Sequence, residues 1–303
     1  MNSSQQIELA LGNAIEHSLS AALASVIGPD CPPKLAEAMR YSVFPGGARI
    51  RPRLALAVAC ACGQDNPAVA NAAAAAIELL HCASLVHDDL PCFDDASTRR
   101  GKASVHRAFG ERLAVLAGDA LIVLAFETLA TGVKALPQRL PALMMIISRS
   151  VGMPTGIVAG QAWECESRVS LSAYQQAKTG ALFAAATMAG AAAAGQIPEQ
   201  WRMLGERLGE AYQVADDIRD AAGNAEELGK PVGRDVALGR PSAAVEFGIS
   251  GAIARLDFLV AGALESIPEC PGRDDLRALI QQEVDGLLPK QLKRETRDAR
   301  QAA

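Results

Sequence analysis

Apolar positions recur at helical spacing along most of the chain, and no stretch alternates apolar and polar residues for long, as a half-buried strand would. Three examples are IELALGNAIEHSLSAALASVI from Ile7, NAAAAAIELLHCASLVHDD from Asn71 and ERLAVLAGDALIVLAFETLATGV from Glu111. Alanine, abundant in these runs, is the best helix former and lets helices approach closely. The pattern predicts an all-α protein of about ten or more helices.

Clusters of Gly and Pro separate the helical runs and predict where helices end. They are GPDCPP at 28–33, FPGGARIRP at 44–52, CGQDNP at 62–67, ALPQRLP at 135–141, QIPEQ at 196–200, LGKPVGRD at 228–235, LGRP at 238–241 and IPECPGRDD at 267–275. None of these segments is long enough or low enough in complexity to mark a domain boundary. We therefore expect a single domain over residues 1–303.

Composition excludes two broad classes of protein. Of the 303 residues, 50% are hydrophobic and 21% are charged, which is typical of a folded chain and not of a disordered one. The net charge of −5 and the aromatic content of 4% argue against nucleic-acid binding, which usually needs a basic surplus or stacking surfaces.

Cysteine usage and hydropathy indicate a cytoplasmic protein without a membrane span. The seven cysteines are odd in number and form no Cys-x-x-Cys pair, so we expect reduced thiols. The N-terminal residues lack the apolar core of a signal peptide. The longest uncharged stretch, Thr179–Pro198, has the length of a membrane span but consists mostly of Ala and Gly. It predicts a tightly packed core helix.

Two acidic clusters, each after a strongly apolar helical run, carry the main chemical signal. The first Asp cluster is Asp88, Asp89, Asp94 and Asp95, and the second Asp cluster is Asp216, Asp217 and Asp220. Within a helix, Asp220 is a neighbour of both other members of the second cluster, and like charges at that spacing are destabilising. One interpretation is a pair of solvated acidic surfaces. The other is a site for hard divalent cations, since Mg²⁺ binds carboxylates together with substrate phosphates.

Cationic residues at Gly- and Pro-marked breaks complement the two Asp clusters. They are Arg49, Arg51, Arg99, Arg100, Lys178, Lys230, Arg234 and Arg240. Each alone is typical of a solvated surface, but arginine forks and lysine ammonium groups are also the side chains that hold phosphate. Together with the Asp clusters, they suit a diphosphate substrate bound through metal ions.

The motifs now resemble those of the trans-prenyltransferase (polyprenyl diphosphate synthase) family, in order along nearly the whole chain. The matching segments are GGARIRP, ELLHCASLVHDDLPCFDDASTRRG, LAGDAL, GQAWE, KTG, QVADDIRD and LGKPVGRD. The resemblance implies an isoprenoid synthase helical bundle with a deep central cavity, a homodimer and about three Mg²⁺ ions. It implies condensation of isopentenyl diphosphate with an allylic diphosphate.

The resemblance also implies a role for individual residues. The implied metal ligands are Asp88, Asp94 and Asp216, supported by Asp89, Asp217 and Asp220. The allylic diphosphate would be held by Arg99, Lys178, Lys230 and Arg240, and isopentenyl diphosphate by Arg51, His81 and Arg100. Lys178, Thr179 and Gln213 would act where positive charge develops on the allylic carbon. A histidine such as His81 in an apolar run is otherwise typical of a helical core.

Two departures from the family pattern point to one branch of it. Ala48 stands where the family usually has a lysine, a charge that Arg49 or a neighbour would have to replace. The loop that usually ends Gly-Lys-x-Thr-Tyr reads GRPSA. Both departures resemble geranylgeranyl diphosphate synthases of the carotenoid pathway in photosynthetic bacteria.

Small residues before the first Asp cluster lead us to expect a twenty-carbon product. Ala83 and Ser84 would leave the cavity open beyond a fifteen-carbon tail, although Ala83 also suits close helix packing. The main expectation is thus a Mg²⁺-dependent geranylgeranyl diphosphate synthase. The alternatives are a farnesyl diphosphate synthase, a non-catalytic subunit that modulates a partner synthase and a terpene cyclase.

Overall fold

Helices form nearly all regular structure in the computed structural model, which describes residues 3–166, 174, 176–222 and 242–287. In these ranges there are twelve α-helices, which confirms the all-α prediction. They are α1 Ser3–Val26, α2 Pro33–Val43, α3 Ile50–Ala61, α4 Pro67–Asp88, α5 Val105–Phe109, α6 Glu111–Gly132, α7 Leu140–Val151, α8 Ile157–Ala162, α9 Ala181–Ala193, α10 Arg202–Ala222, α11 Ala243–Glu265 and α12 Arg273–Leu287. Every predicted break in the described ranges lies at a junction between two of these helices, although five of the six extend one to three residues into the next helix.

Short non-α segments join some of these helices. They are the 3₁₀ turns Pro137–Arg139, Trp163–Cys165 and Pro198–Trp201, and a π-helical segment, Gln176–Gly180, that runs directly into α9. A π-helix is rare and is often found at functional sites. This one contains two of the predicted site residues, Lys178 and Thr179.

The helix that leads to the first Asp cluster has a well-defined start and a buried body. The Asn66 side chain accepts a hydrogen bond from the Ala68 N–H at 3.1 Å, and Pro67 occupies the first helical turn, where its missing N–H costs nothing. α4 packs against α1, α3, α6 and α9, so most of its length is in the core. It ends at Asp88, which brings the first Asp cluster to the point where the chain leaves the core.

The centre of the described structure is built from small side chains. α9 packs against α3, α4, α7 and α10, and its residues from Leu182 to Ala193 are buried. The uncharged stretch Thr179–Pro198 therefore supplies a core helix, as the sequence predicted.

A two-stranded hairpin follows the first Asp cluster, and the sequence analysis did not predict it. Thr98–Arg99 pairs antiparallel with Lys102–Ala103. The two residues between the strands, Arg100 and Gly101, have φ values of 53° and 75°. Positive φ at both positions is the mark of a type I′ turn, for which glycine is strongly favoured at the second. The turn thus fixes the directions of the two consecutive arginines, Arg99 and Arg100.

Three of the described helices are long and apolar enough to cross a membrane by length and composition: α4, α6 and α11. The apolar stretch of α4 is 78% buried within the protein, whereas those of α6 and α11 are 39% and 33% buried. The last two helices therefore present apolar side chains on the surface.

Candidate active site

The first Asp cluster forms a compact turn at the end of α4. The Asp94 N–H donates to the Asp88 carbonyl oxygen at 3.0 Å, and the Ala96 N–H donates to the Asp89 carbonyl oxygen at 3.2 Å. Burial raises the pKa of Asp88, and the negative charge of Asp94 raises it further, while Lys178 opposes the shift. The turn therefore places negative charges where they repel each other.

One carboxylate oxygen in this turn is left without a hydrogen bond. Asp88 Oδ1 is buried and accepts no hydrogen bond from a described residue, and Lys178 Nζ lies 3.7 Å from it. A buried, charged oxygen without a donor is costly unless a cation meets it. The environment of Asp88 therefore suits a hard cation such as Mg²⁺.

Asp89 is bound to Arg99 and not left open. Arg99 Nε is 3.0 Å from Asp89 Oδ1 and 3.2 Å from Oδ2, and Arg99 Nη2 also donates to Oδ1. Asp89 is buried, whereas about a third of the Arg99 side chain is exposed. This geometry favours a role for Asp89 in holding Arg99. That Asp89 is a metal ligand stays a prediction.

The π-helical segment brings Lys178 and Thr179 to the same region. Lys178 lies between two carboxylates, 2.5 Å from Glu164 Oε1 and 3.7 Å from Asp88 Oδ1. Thr179 Oγ1 donates to Gln213 Oε1 at 3.1 Å. The structure thus joins two residues that the sequence assigned to the allylic centre, Thr179 and Gln213, and the third, Lys178, is the chain neighbour of Thr179.

Hydrogen bonds from Gln213 continue to the next helix. Its Nε2 donates to Asp217 Oδ1 at 3.0 Å, and Asp217 Oδ2 accepts from the Ala243 N–H at 2.8 Å, at the start of α11. Asp217 is buried, and it satisfies a backbone N–H in the first turn of α11 that has no partner within its own helix. Its geometry supports the position of Gln213 and of α11.

The other members of the second Asp cluster differ in environment. Asp216 Oδ1 accepts from Arg219 Nη2 at 3.0 Å, while Asp220 is buried. Within residues 3–166, 174, 176–222 and 242–287, no three potential metal-ligating side chains already converge into a binding group.

The residues assigned to isopentenyl diphosphate form a second, positively charged group. Arg51 Nη1 is 3.4 Å from His81 Nε2, and the Arg51 guanidinium lies over the Phe183 ring at 4.5 Å. Arg100, in the turn of the hairpin, has its Nη2 4.0 Å from Oε1 of the buried Glu78. Burial lowers the pKa of His81 well below its ordinary value, and Arg51 and Arg100 lower it further. His81 is therefore neutral at physiological pH and can donate a hydrogen bond.

The same group contains an unsatisfied donor. Arg51 Nε is buried and has no hydrogen-bond acceptor among the described residues. A cationic pocket with an unused donor and a neutral histidine is suited to an anion.

Arg49 cannot replace the missing charge at Ala48, contrary to one of the sequence-based suggestions. Its guanidinium is buried and donates to Glu78 at 2.6 Å, to Glu16 at 2.8 Å and to the Val43 carbonyl oxygen at 2.8 Å. All sides of this guanidinium face the protein. Arg49 holds α1 and α4 together.

The two proposed chain-length residues lie on different faces of α4. His81, Ser84, Leu85 and Asp88 are all partly accessible and share one face of the helix, whereas Ala83 is only 2% exposed. The burial of Ala83 favours the packing interpretation, and Ser84 lies on the face of Asp88. A role for either in product length stays a prediction.

Several candidate residues lie elsewhere or were not anticipated. Lys230 and Arg240, the remaining predicted ligands of the allylic diphosphate, lie outside the described residues. Sequence analysis assigned no role to Glu164, Tyr174 or Arg219. Glu164 accepts from Lys178, Arg219 donates to Asp216, and Tyr174 donates to Glu164. The motif GQAWE, which contains Glu164, was the available signal for that residue.

Comparisons with known proteins place this chain among polyprenyl synthetases. Residues 32–280 match the sequence model of the family described as polyprenyl synthetase. The chain is 54% identical over 284 residues to geranylgeranyl diphosphate synthase from Cereibacter sphaeroides, covering 94% of this chain and 99% of that protein. It is 39% identical to farnesyl diphosphate synthase from Geobacillus stearothermophilus, covering 82% and 86% of the two chains.

A solved structure supports the same assignment. The fold is similar to geranyltransferase from Helicobacter pylori, crystallised with magnesium and isoprenyl diphosphate, with a TM-score of 0.79 and 30% sequence identity. The match covers 92% of this chain and 98% of that one. With the family match over most of the sequence and the two Asp clusters in a shared helical framework, the chain belongs to the polyprenyl synthetase family.

Proposed function

We propose that this protein is a Mg²⁺-dependent prenyltransferase that condenses isopentenyl diphosphate with an allylic diphosphate and makes mainly geranylgeranyl diphosphate. The observation that carries the proposal is the pairing of two sites along α4. Asp88, with its unsatisfied oxygen, and His81, in the cationic group, share one face and are about 10 Å apart along the helix. Two diphosphates bound at these sites would bring their hydrocarbon parts together.

The residues present fit Mg²⁺. Asp88 offers a carboxylate oxygen without a donor, and Asp94 lies in the same turn. Asp216 and Asp220 would act from the second Asp cluster. About three ions, as the family resemblance implies, would join the clusters to the diphosphate of the allylic substrate. When bound, Mg²⁺ stabilises negative charge on a departing diphosphate.

The side chains then have distinct tasks in the reaction. Lys178 and the exposed part of Arg99 hold the allylic diphosphate and stabilise it as the allylic C–O bond breaks. Arg51, His81 and Arg100 hold isopentenyl diphosphate with its double bond near the allylic carbon, which converts the attack into an effectively unimolecular step. The new C–C bond forms, and a proton is lost from the product skeleton to the departing diphosphate.

Thr179 and Gln213 would act beside the allylic carbon. Gln213 Oε1 accepts from the Thr179 hydroxyl, so both oxygens lie at one point of the site. Oriented oxygen dipoles stabilise positive charge as it develops on the allylic carbon. No nucleophilic serine or cysteine is needed.

The twenty-carbon product is supported by the comparisons and by small side chains near Asp88. The geranylgeranyl diphosphate synthase relative is 54% identical, against 39% for the farnesyl diphosphate synthase relative. Ser84 lies on the accessible face of α4, one turn before Asp88, and offers no bulk to block a growing chain.

The test uses purified protein, farnesyl diphosphate, radiolabelled isopentenyl diphosphate and Mg²⁺. We expect label in a twenty-carbon diphosphate, and loss of incorporation with EDTA. Farnesyl diphosphate synthases that stop at fifteen carbons, non-catalytic subunits and cyclases would all leave the label unincorporated. That result would refute the proposal.

We also propose that the protein is a cytoplasmic homodimer without a membrane span. All seven cysteines are free thiols, which suits a reducing compartment. On α6, the side chains of Val115, Leu116 and Val123 are apolar and exposed, and Met145 is exposed on α7. A second copy of the chain would cover this surface.

The dimer proposal is tested with the substitutions Leu116→Glu and Val123→Glu. Light scattering in detergent-free buffer should give the mass of two chains for the unmodified protein and of one chain for the double variant. A monomeric unmodified protein, or one that partitions onto lipid vesicles, would contradict the proposal.

A further inference from the structure

The motif GQAWE has no task in the reaction described above, although its last residue reaches the site. Glu164 lies in the 3₁₀ turn Trp163–Cys165 that follows α8. α8 and the π-helical segment approach closely because Gly160 has no side chain. A Cβ at Gly160 would lie only 2.5 Å from the Lys178 backbone nitrogen. This contact brings Glu164 within reach of the Lys178 side chain.

The Glu164 carboxylate accepts hydrogen bonds from three donors. Its Oε1 accepts from Lys178 Nζ at 2.5 Å and from the Tyr174 hydroxyl at 2.6 Å, and its Oε2 accepts from Gln161 Nε2 at 3.2 Å. Gln161 and Tyr174 thus fix the direction of the carboxylate on both sides. A carboxylate oriented in this way holds its cation at a defined position.

Lys178 has a second carboxylate nearby, at Asp88. Its Nζ is 3.7 Å from Asp88 Oδ1, too far for a hydrogen bond, and that oxygen accepts none from a described residue. Lys178 therefore forms a hydrogen bond with Glu164 and none with Asp88. If the negative charge of Glu164 were removed, Asp88 would be the strongest remaining attraction for the ammonium group.

We propose that Glu164 is a positioning residue that keeps Lys178 directed at the allylic diphosphate and prevents it from closing onto Asp88. This inference rests on the proposed function. Loss of the Glu164 charge would have two effects. Lys178 Nζ would move away from the allylic diphosphate, and it would bind Asp88 Oδ1 instead. Binding of isopentenyl diphosphate by Arg51, His81 and Arg100 would be unaffected.

The test compares Glu164→Gln, which keeps the shape and removes the charge, with Glu166→Gln. Glu166 is an exposed acid two residues further along the same segment, so its substitution is a matched control for charge. We expect the KM for the allylic diphosphate to rise at least tenfold in Glu164→Gln and the KM for isopentenyl diphosphate to change less than twofold. Glu166→Gln should match the unmodified enzyme in both values.

A second measurement does not depend on turnover. A crystal structure of metal-free Glu164→Gln should show Lys178 Nζ within hydrogen-bonding distance of Asp88 Oδ1. Glu164→Asp retains the charge on a shorter side chain and should recover most of the allylic KM. If Glu164→Gln does not fold, Glu164→Asp replaces it as the variant that is tested.

Three results would overturn the inference. They are an unchanged allylic KM in Glu164→Gln, an equal rise in both KM values, and an unmoved Lys178 in the crystal structure. An inactive unmodified enzyme would instead contradict the proposed function. Activity in the unmodified enzyme together with any of the three results would refute only the positioning role.

Discussion

Arg99 donates to both carboxylate oxygens of Asp89, with Nε at 3.0 Å from Oδ1 and 3.2 Å from Oδ2. The Asp89 side chain is buried, and about a third of the Arg99 side chain is exposed. The second aspartate of the first pair therefore orients a cation, while the first, Asp88, keeps an unsatisfied oxygen. Two adjacent residues of the same type thus have different environments because their side chains leave the helix in different directions.

Asp89→Asn should weaken allylic binding more than it slows turnover. The amide can accept from Arg99 but carries no charge, so the arginine is held less firmly. We expect a severalfold rise in the allylic KM and a small change in kcat, measured by steady-state kinetics alongside urea denaturation. If Asp89→Asn loses turnover as completely as Asp88→Asn, Asp89 is a metal ligand.

Asp88→Asn should remove activity and stabilise the metal-free protein at neutral pH. Loss of the carboxylate removes a ligand where charge develops, and single groups of this kind are worth about 10²–10³ in kcat. Because burial raises the pKa of Asp88, the folded state binds its proton more readily than the unfolded state. The ionised carboxylate therefore costs stability once the pH exceeds the folded-state pKa.

The pH dependence of Tm checks the sign of this effect. In the presence of EDTA, Asp88→Asn should melt at a higher temperature than the unmodified protein at pH 7, and the difference should shrink as the pH falls and Asp88 becomes protonated. A variant that melts lower at pH 7 would show that the Asp88 charge is compensated within the protein.

Ala48→Lys should improve binding of isopentenyl diphosphate alone. Ala48 is exposed, and the Arg100 side chain lies beside the neighbouring residue Gly47. A lysine that reaches the bound phosphate would gain about 1 kcal/mol, or roughly fivefold in KM, after side-chain entropy is subtracted. An equal effect on the allylic KM would place residue 48 outside the isopentenyl pocket.

Ser84→Tyr should shorten the product, whereas Ala83→Tyr should destabilise the fold. Ser84 is on the accessible face of α4 and Ala83 is buried. A tyrosine ring at 84 would block the growing chain at fifteen carbons, and one at 83 would overpack the core at a cost of about 1–3 kcal/mol. Product chromatography and urea denaturation separate the two effects. Fifteen-carbon product from a stable Ala83→Tyr protein would reverse the assignment.

Helical periodicity was enough to predict the fold class. The two sets of diphosphate ligands came from the family resemblance, and they stay predictions. The sequence was also enough to predict that Ser84 lies on the same face of α4 as Asp88. At about 100° per residue, residue 84 lies roughly 40° from Asp88 around α4, and residue 83 lies roughly 140° away. The contacts of Arg49 were harder to predict. Its partners Glu16 and Glu78 lie on two other helices, and only the packing of these helices brings them to Arg49.

The position of Glu164 was not predictable from periodicity. Its contact with Lys178 spans fourteen residues and depends on a π-helical register that has no pattern of its own in the sequence. The hairpin that directs Arg99 and Arg100 has strands of two residues each, too short for an alternating pattern.

The most direct test of the central claim uses dimethylallyl diphosphate as the only starter, with excess isopentenyl diphosphate and Mg²⁺, and measures product chain lengths by chromatography. The geometry at Asp88 and Ser84 predicts geranylgeranyl diphosphate as the main product, with farnesyl diphosphate only as a transient intermediate. Accumulation of farnesyl diphosphate as the end product, or no condensation at all, would contradict it.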